Sequence, residues 1–151
     1  MLRYALTHQP TLSALASLGH GSRILLADGN YPFATAKHPS APLVHLNFRP
    51  GLLDVDEVLT TLLDAVPIES ATVMTAPAGT TVAAHEGYRR ILGPDVPIAD
   101  LDRFAFYDAV RAPETGLVIA TGDQRSHANL LLEVGFQPAT AGAGSGGESR
   151  S

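Results

Sequence analysis

Four stretches of the chain hold side chains able to grip a polar ligand or move a proton. Gly19-His20-Gly21-Ser22 sets an imidazole between two glycines, where the backbone can turn tightly or approach a ligand. A histidine so placed can exchange a proton near neutral pH. Asp28-Gly29-Asn30-Tyr31-Pro32 puts a carboxylate directly after the apolar run Ile24-Leu25-Leu26-Ala27, and in open α/β sheets ligands collect beyond the carboxyl ends of strands. Asp-Gly is also ordinary turn chemistry, so the competing structural reading has Asp28 making an Asx turn and His20 capping the segment before it.

The third stretch, Asp102-Arg103-Phe104-Ala105-Phe106-Tyr107-Asp108, is rich in aromatic residues in a chain with only 6% of them. Phe104 and Tyr107 packed inward would leave Arg103 to reach a ligand hydroxyl; core aromatics beside a solvated arginine is the alternative. The fourth runs from Thr121 to Asn129 and separates two apolar runs with far more polarity than a minimal connection needs. Loops of that kind often carry function.

Composition removes whole classes of chemistry. The absence of cysteine excludes disulfides, thiolate nucleophiles and thiolate metal sites. The six histidines are scattered, His85-Glu86 is not followed by a second histidine at metalloprotease spacing, and no phosphate-binding Walker loop or nucleophile-elbow serine occurs. No metal site is expected. His8, His38, His45 and His85 are read as surface or structural. Ten basic against 15 acidic side chains leave a net charge of -5, which argues against nucleic acid as a partner. No apolar run approaches the ~18 residues of a membrane span, and Met1 to Pro10 lacks the apolar stretch of a secretory signal. A cytoplasmic protein is the expectation. A mean hydropathy of +0.11 with 17% charged residues leans apolar and hints at buried subunit contacts.

The elements that must position these groups can be read from periodicity. Leu12, Leu15, Ala16 and Leu18 suit a short helix over 11–18 that Gly19 breaks. Residues 23–27, 43–48, 71–75, 117–120 and 130–132 suit strands, and the first, a continuous apolar run after Arg23, suits one covered on both faces. Val55, Val58, Leu59, Leu62 and Leu63 share a helical face behind the acids Asp54, Asp56 and Glu57, which favour a helix N-terminus. Further helices are expected over 80–92 and 102–111. Strands alternating with helices predict a three-layer α/β/α sandwich around a mixed, largely parallel sheet, in which the last two strands could pair antiparallel. Residues 1–138 form the expected single domain, and the Gly/Ser-rich stretch 139–151 a flexible tail.

Taken in order, Leu18-Gly19-His20-Gly21, Ile24 to Pro32, Arg103 to Ala109, Thr121-Gly122-Asp123 and Asn129-Leu130-Leu131-Leu132 resemble the D-ribose pyranase and L-fucose mutarotase family, from near residue 10 to Gly135. The Arg-Phe-Ala-Phe-Tyr segment is more similar to the fucose branch. The resemblance implies a cofactor-free isomerase that interconverts anomers of a free monosaccharide, assembled into ring-shaped homo-oligomers, often decamers, with sites near subunit contacts. It casts His20 as proton donor, Asp28 and Arg103 as sugar-binding residues, and Asn129 as the asparagine of a closing Tyr-Gly-Asn motif. His127 and Ala128 replace the tyrosine and glycine of that motif, Ser22 stands where an acid is usual, and Glu69 where an aspartate is common. Either His127 takes over the tyrosine's contacts or the substrate differs.

Anomer exchange needs a proton delivered to the ring oxygen and one removed from the anomeric hydroxyl, so a positioned acid and base suffice. The expected machinery is His20 at the ring oxygen and Asp28 on the same sugar, with Arg103, Asn129 and His127 on other hydroxyls and Phe106 or Tyr107 as an apolar face. Two other readings use the same residues: a non-catalytic sugar-binding or transport-associated module, and an oligomeric scaffold with a decayed site.

Overall fold

Apolar runs flanked by turn residues become strands, and one-sided segments become helices laid against them. The computed structural model describes residues 1–139. In chain order the elements are α1 (Gln9–Leu15), β1 (Arg23–Ala27), β2 (Leu43–His45), α2 (Val55–Leu63), β3 (Ile68–Met74), α3 (Ala83–Leu92), β4 (Ile98–Leu101), α4 (Arg103–Arg111), β5 (Thr115–Ala120) and β6 (Leu130–Val134). The strands form one sheet in the order β2-β5-β1-β6-β3-β4. Pairings β2 to β5, β5 to β1 and β3 to β4 are parallel, whereas β6 runs antiparallel to both β1 and β3. Five strands therefore point one way and β6 alone points back.

The run Ile24 to Ala27 is buried on both faces, as its unbroken apolar character requires. Ile24 and Leu26 join Val55, Leu59, Leu62 and Tyr88 in a core under α1, α2 and α3. Leu25 and Ala27 face the other way, into a smaller core with Tyr31, Phe106 and Val110 under α4. These are the three layers. At the start of α2 a capping box satisfies two end groups: Glu57 N donates to Asp54 Oδ1 at 2.8 Å, and Asp54 N donates to Glu57 Oε2 at 3.0 Å.

Several elements differ from expectation. The last two strands do not pair with each other, because β1 lies between β5 and β6 and takes a register with each. Strand β2 ends at His45, and the helix over 80–92 begins only at Ala83, since residues 80–82 are not helical. Strand β4 has no sequence signature. Four residues at a sheet edge, with Ala99 and Asp100 exposed, leave no alternation to read. Of the tail read over 139–151, all but Ala139 lies outside the described residues. No helix among the described residues is long and apolar enough to cross a membrane.

Candidate active site

The carboxyl ends of β1, β3, β4 and β5 meet at one edge of the sheet, and there the polar loops converge. Asp28 follows β1, Met74 ends β3, Arg103 opens α4 just after β4, and the loop 121–129 joins β5 to β6. A cavity of about 280 Å³ lies among them, lined by Asp28, Asn30, Tyr31, Met74, Arg103, Tyr107, Ser126, His127 and Asn129. From β1 the chain goes to β2 on one side of it in the sheet and then crosses to β3 on the other, so the cavity sits where the strand order reverses.

Asp28 and Asn129, 101 positions apart, lock each other. Asn129 Nδ2 donates to Asp28 Oδ2 at 3.0 Å, and Asp28 N donates to Asn129 Oδ1 at 2.8 Å. Asn30 N also donates to Asp28 Oδ1 at 2.9 Å. The Asx turn and the ligand site are therefore one feature, since the same carboxylate shapes the turn and lines the cavity. Burial pushes the Asp28 carboxyl above its ordinary value, against the pull of the Asn30 N–H.

Helix α4 supplies Arg103 from its first turn, anchored by Asp102 Oδ1, which accepts from Phe104 N at 2.9 Å and Ala105 N at 3.0 Å. The arginine Nε donates to Tyr107 Oη at 3.2 Å, and the guanidinium carbon lies 5.5 Å from the centre of that ring. Its terminal nitrogens remain available to a ligand. Tyr107 in turn meets Tyr31 edge to face at 5.3 Å, and the Tyr31 hydroxyl is occupied by Ala36 O at 2.8 Å. The expected inward pair is corrected here: Phe104 is 73% exposed, while Phe106 is fully buried in the core and Tyr107 reaches the cavity.

Four of the five residues singled out from sequence, Asp28, Arg103, His127 and Asn129, thus share one cavity. His20 does not join them. It precedes β1, whereas Asp28 follows it, and the five residues of that strand alone span about 17 Å. His20 Nε2 donates to Glu69 Oε2 at 2.9 Å beside the start of β3, and its ring meets Phe136 edge to face. Neither capping the first helix nor reaching the Asp28 carboxylate of its own chain describes it. Met74 and Ser126 escaped the sequence reading, and only their positions at a strand end and in the polar loop pointed to them.

The loop itself is clamped from beneath. Asp123, buried, accepts from Val55 N at 3.0 Å, from Arg125 N at 3.0 Å and from the Arg125 guanidinium at 2.6 Å, and Arg125 also pairs with Asp56 at 2.8 Å. Burial alone would raise the Asp123 carboxyl, but the Arg125 side chain and these backbone donors outweigh it and hold it below its ordinary value. Gly122 is obligatory, because a Cβ there would fall on the Leu52 carbonyl. No cluster of three or more His, Asp or Glu suited to a metal ion occurs among the described residues.

Small in volume, walled by hydrogen-bonding groups and the rings of Tyr31 and Tyr107, and set at the carboxyl ends of a largely parallel sheet, this cavity has the size and lining that suit a compact polar ligand in an α/β protein. Residues 1–137 match the RbsD / FucU transport protein family, and the chain belongs to it. It is 31% identical to the fucose mutarotase of Danio rerio over 139 residues, covering 84% of this chain and 87% of that one. It is 32% identical to the D-ribose pyranase of Streptomyces avermitilis over 136 residues, covering 89% and 98%. The structure of Bacillus subtilis RbsD complexed with D-ribose superposes with a TM-score of 0.79 over 91% of this chain and 99% of that one at 20% identity, a likeness of fold.

Proposed function

We propose that this chain is a cofactor-independent mutarotase that interconverts the anomers of a free monosaccharide of the fucose type. The observation that carries the reading is the convergence of Asp28, Asn129, Arg103 and His127 on one cavity in a chain of this family. At about 280 Å³ the cavity lies just below the ~300 to 1,000 Å³ usual for small-molecule sites, and suits one sugar ring better than an oligosaccharide.

Exchange begins when the ring oxygen gains a proton while the anomeric hydroxyl gives one up. The ring C–O bond breaks, the carbonyl forms, the aldehyde end rotates, and reclosure on its other face returns both protons. Asp28, held by Asn129 and Asn30, fixes the sugar through its hydroxyls, Arg103 and His127 grip others, and Tyr107 offers the apolar wall. His20 supplies the proton to the ring oxygen, solvent at the open cavity takes the one that the anomeric hydroxyl gives up, and both transfers reverse on reclosure. Because it stands at the other end of β1 in its own chain, the His20 that serves a given cavity belongs to a neighbouring copy in a ring-shaped homo-oligomer. Exposed Phe48, Phe104 and Phe136 are apolar surface that such contacts would cover. The cytoplasm is the setting this reading assigns.

Saturation-transfer NMR on equilibrated fucose, ribose and galactose, each with an enzyme-free control, tests the activity. Acceleration of exchange for at least one sugar is expected, and none for any free sugar would remove the reading. Distance favours a second reading, a binding module that moves no proton, because a single chain does not bring His20 to the cavity. Tight sugar binding with no acceleration would select it. Arg103→Ala is expected to weaken sugar binding by about tenfold, the worth of one charge-assisted hydrogen bond, with little change in melting temperature, since the side chain is exposed. Titration of the variant with the exchanging sugar, followed by calorimetry, checks both parts.

A further inference from the structure

His127 is the one non-glycine residue with a left-handed backbone among the described residues, at φ 61°. L side chains enter that region reluctantly, so the surroundings must hold it there. Two donors on α3 do so. His85 Nε2 donates to His127 O at 2.9 Å, and Tyr88 Oη donates to Ala128 O at 2.5 Å. Three positions apart, the two side chains share one face of the helix, and both are buried. Burial holds the His85 ring below the ordinary imidazole value, outweighing the pull of the His127 carbonyl, so the neutral ring carries its proton on Nε2.

Packing does not replace these bonds. On the far side of the same turn, Pro77, Thr80, Val82, Arg125, Ser126 and His127 border an open space of about 330 Å³, into which the turn has room to relax. Arg125 and Asn129 are pinned on either side through Asp123 and Asp28. The peptide of His127 is gripped from α3.

We propose that His85, which does not line the sugar cavity, is a positioning residue: its hydrogen bond to the His127 carbonyl holds the left-handed turn that keeps the His127 imidazole at the cavity wall. The inference rests on the mutarotase reading for its kinetic part and on backbone geometry for the rest. His85→Phe keeps a ring and removes the donor, while His85→Gln restores a donor near the same place. Expected are a rise in KM of about tenfold for H85F, the scale of one lost hydrogen bond, with kcat moving less, and recovery to within about twofold in H85Q. Added to His127→Ala, H85F should cost nothing more, because the group it positions is gone.

Crystal structures of the variants read φ at position 127 directly, and H85F should leave the left-handed region while H85Q keeps it. A loss in H85F that is equally large with and without the His127 side chain would overturn the proposal, as would an unmoved turn. If H85F does not fold, His85→Leu takes its place in every arm. Absence of sugar exchange in the unmutated protein would sink the mutarotase reading and leave the crystallographic arm to decide the role of His85.

Discussion

His20→Ala is expected to slow anomer exchange by about 10² to 10⁴-fold, the range a positioned general acid supplies, while the protein stays folded and assembled. Folding should survive because the His20 side chain is 58% exposed and its pair with Glu69 is a surface contact, of a kind worth at most about 1 kcal/mol. The variant also tests where the proton comes from. Asp28→Asn should bind sugar poorly within its own cavity, whereas the His20→Ala chain keeps a sound cavity and lacks the donor. If the donor reaches a neighbour's cavity, mixing the two inactive variants, unfolding them and reassembling them should return activity that neither shows alone. Unchanged exchange in His20→Ala would take the imidazole out of the mechanism, and failure of the mixture, with the assembly re-formed, would rule out donation from a neighbouring chain.

Asp123→Ala should be the most destabilising change at the site, by about 2 to 3 kcal/mol and roughly 5 to 10 °C in melting temperature. The estimate comes from the buried Val55 N–H and the partly buried Arg125 N–H, which lose their acceptor. The Arg125 guanidinium adds little, since it is 36% exposed and keeps Asp56. Acid unfolding carries a second signature. The Asp123 carboxyl lies below its ordinary value when folded, so between that folded value and about 3.9 the unfolded chain binds more protons and stability rises with pH. Its contribution is present above the ordinary value and disappears as pH falls through the folded one. Urea midpoints measured from pH 7 to pH 2 should show a shallower acid limb in Asp123→Ala. A limb as steep as that of the unmutated protein would assign the acid sensitivity elsewhere.

Much of the fold was legible because burial leaves a local imprint. A strand covered on both faces must be apolar throughout, as Ile24 to Ala27 is, and a helix on a sheet must be apolar on one side, as α2 is between its acidic start and Pro67. Strand β4 left no such imprint, because an exposed four-residue edge strand is defined by its hydrogen bonds to β3 and not by its side chains. The antiparallel placement of β6 between β1 and β3 was equally hidden. A short connection permits a hairpin with β5, and only competition among all the strands for partners decides against it.

The residue types that can bind a sugar, and the order in which they occur, belong to the sequence alone: a carboxylate after the first strand, an arginine opening the aromatic helix, and an asparagine before the last strand. What only the tertiary structure decided is which of them meet. Asp28 and Asn129 pair across 101 positions because β1 and β6 are neighbours running in opposite directions, so the end of one lies beside the start of the other. The same geometry parts His20 from Asp28, eight positions apart, because a strand carries its two ends to opposite edges of the sheet. Nearness along the chain is set by covalent bonds, and nearness in space by which strands find each other when the core closes.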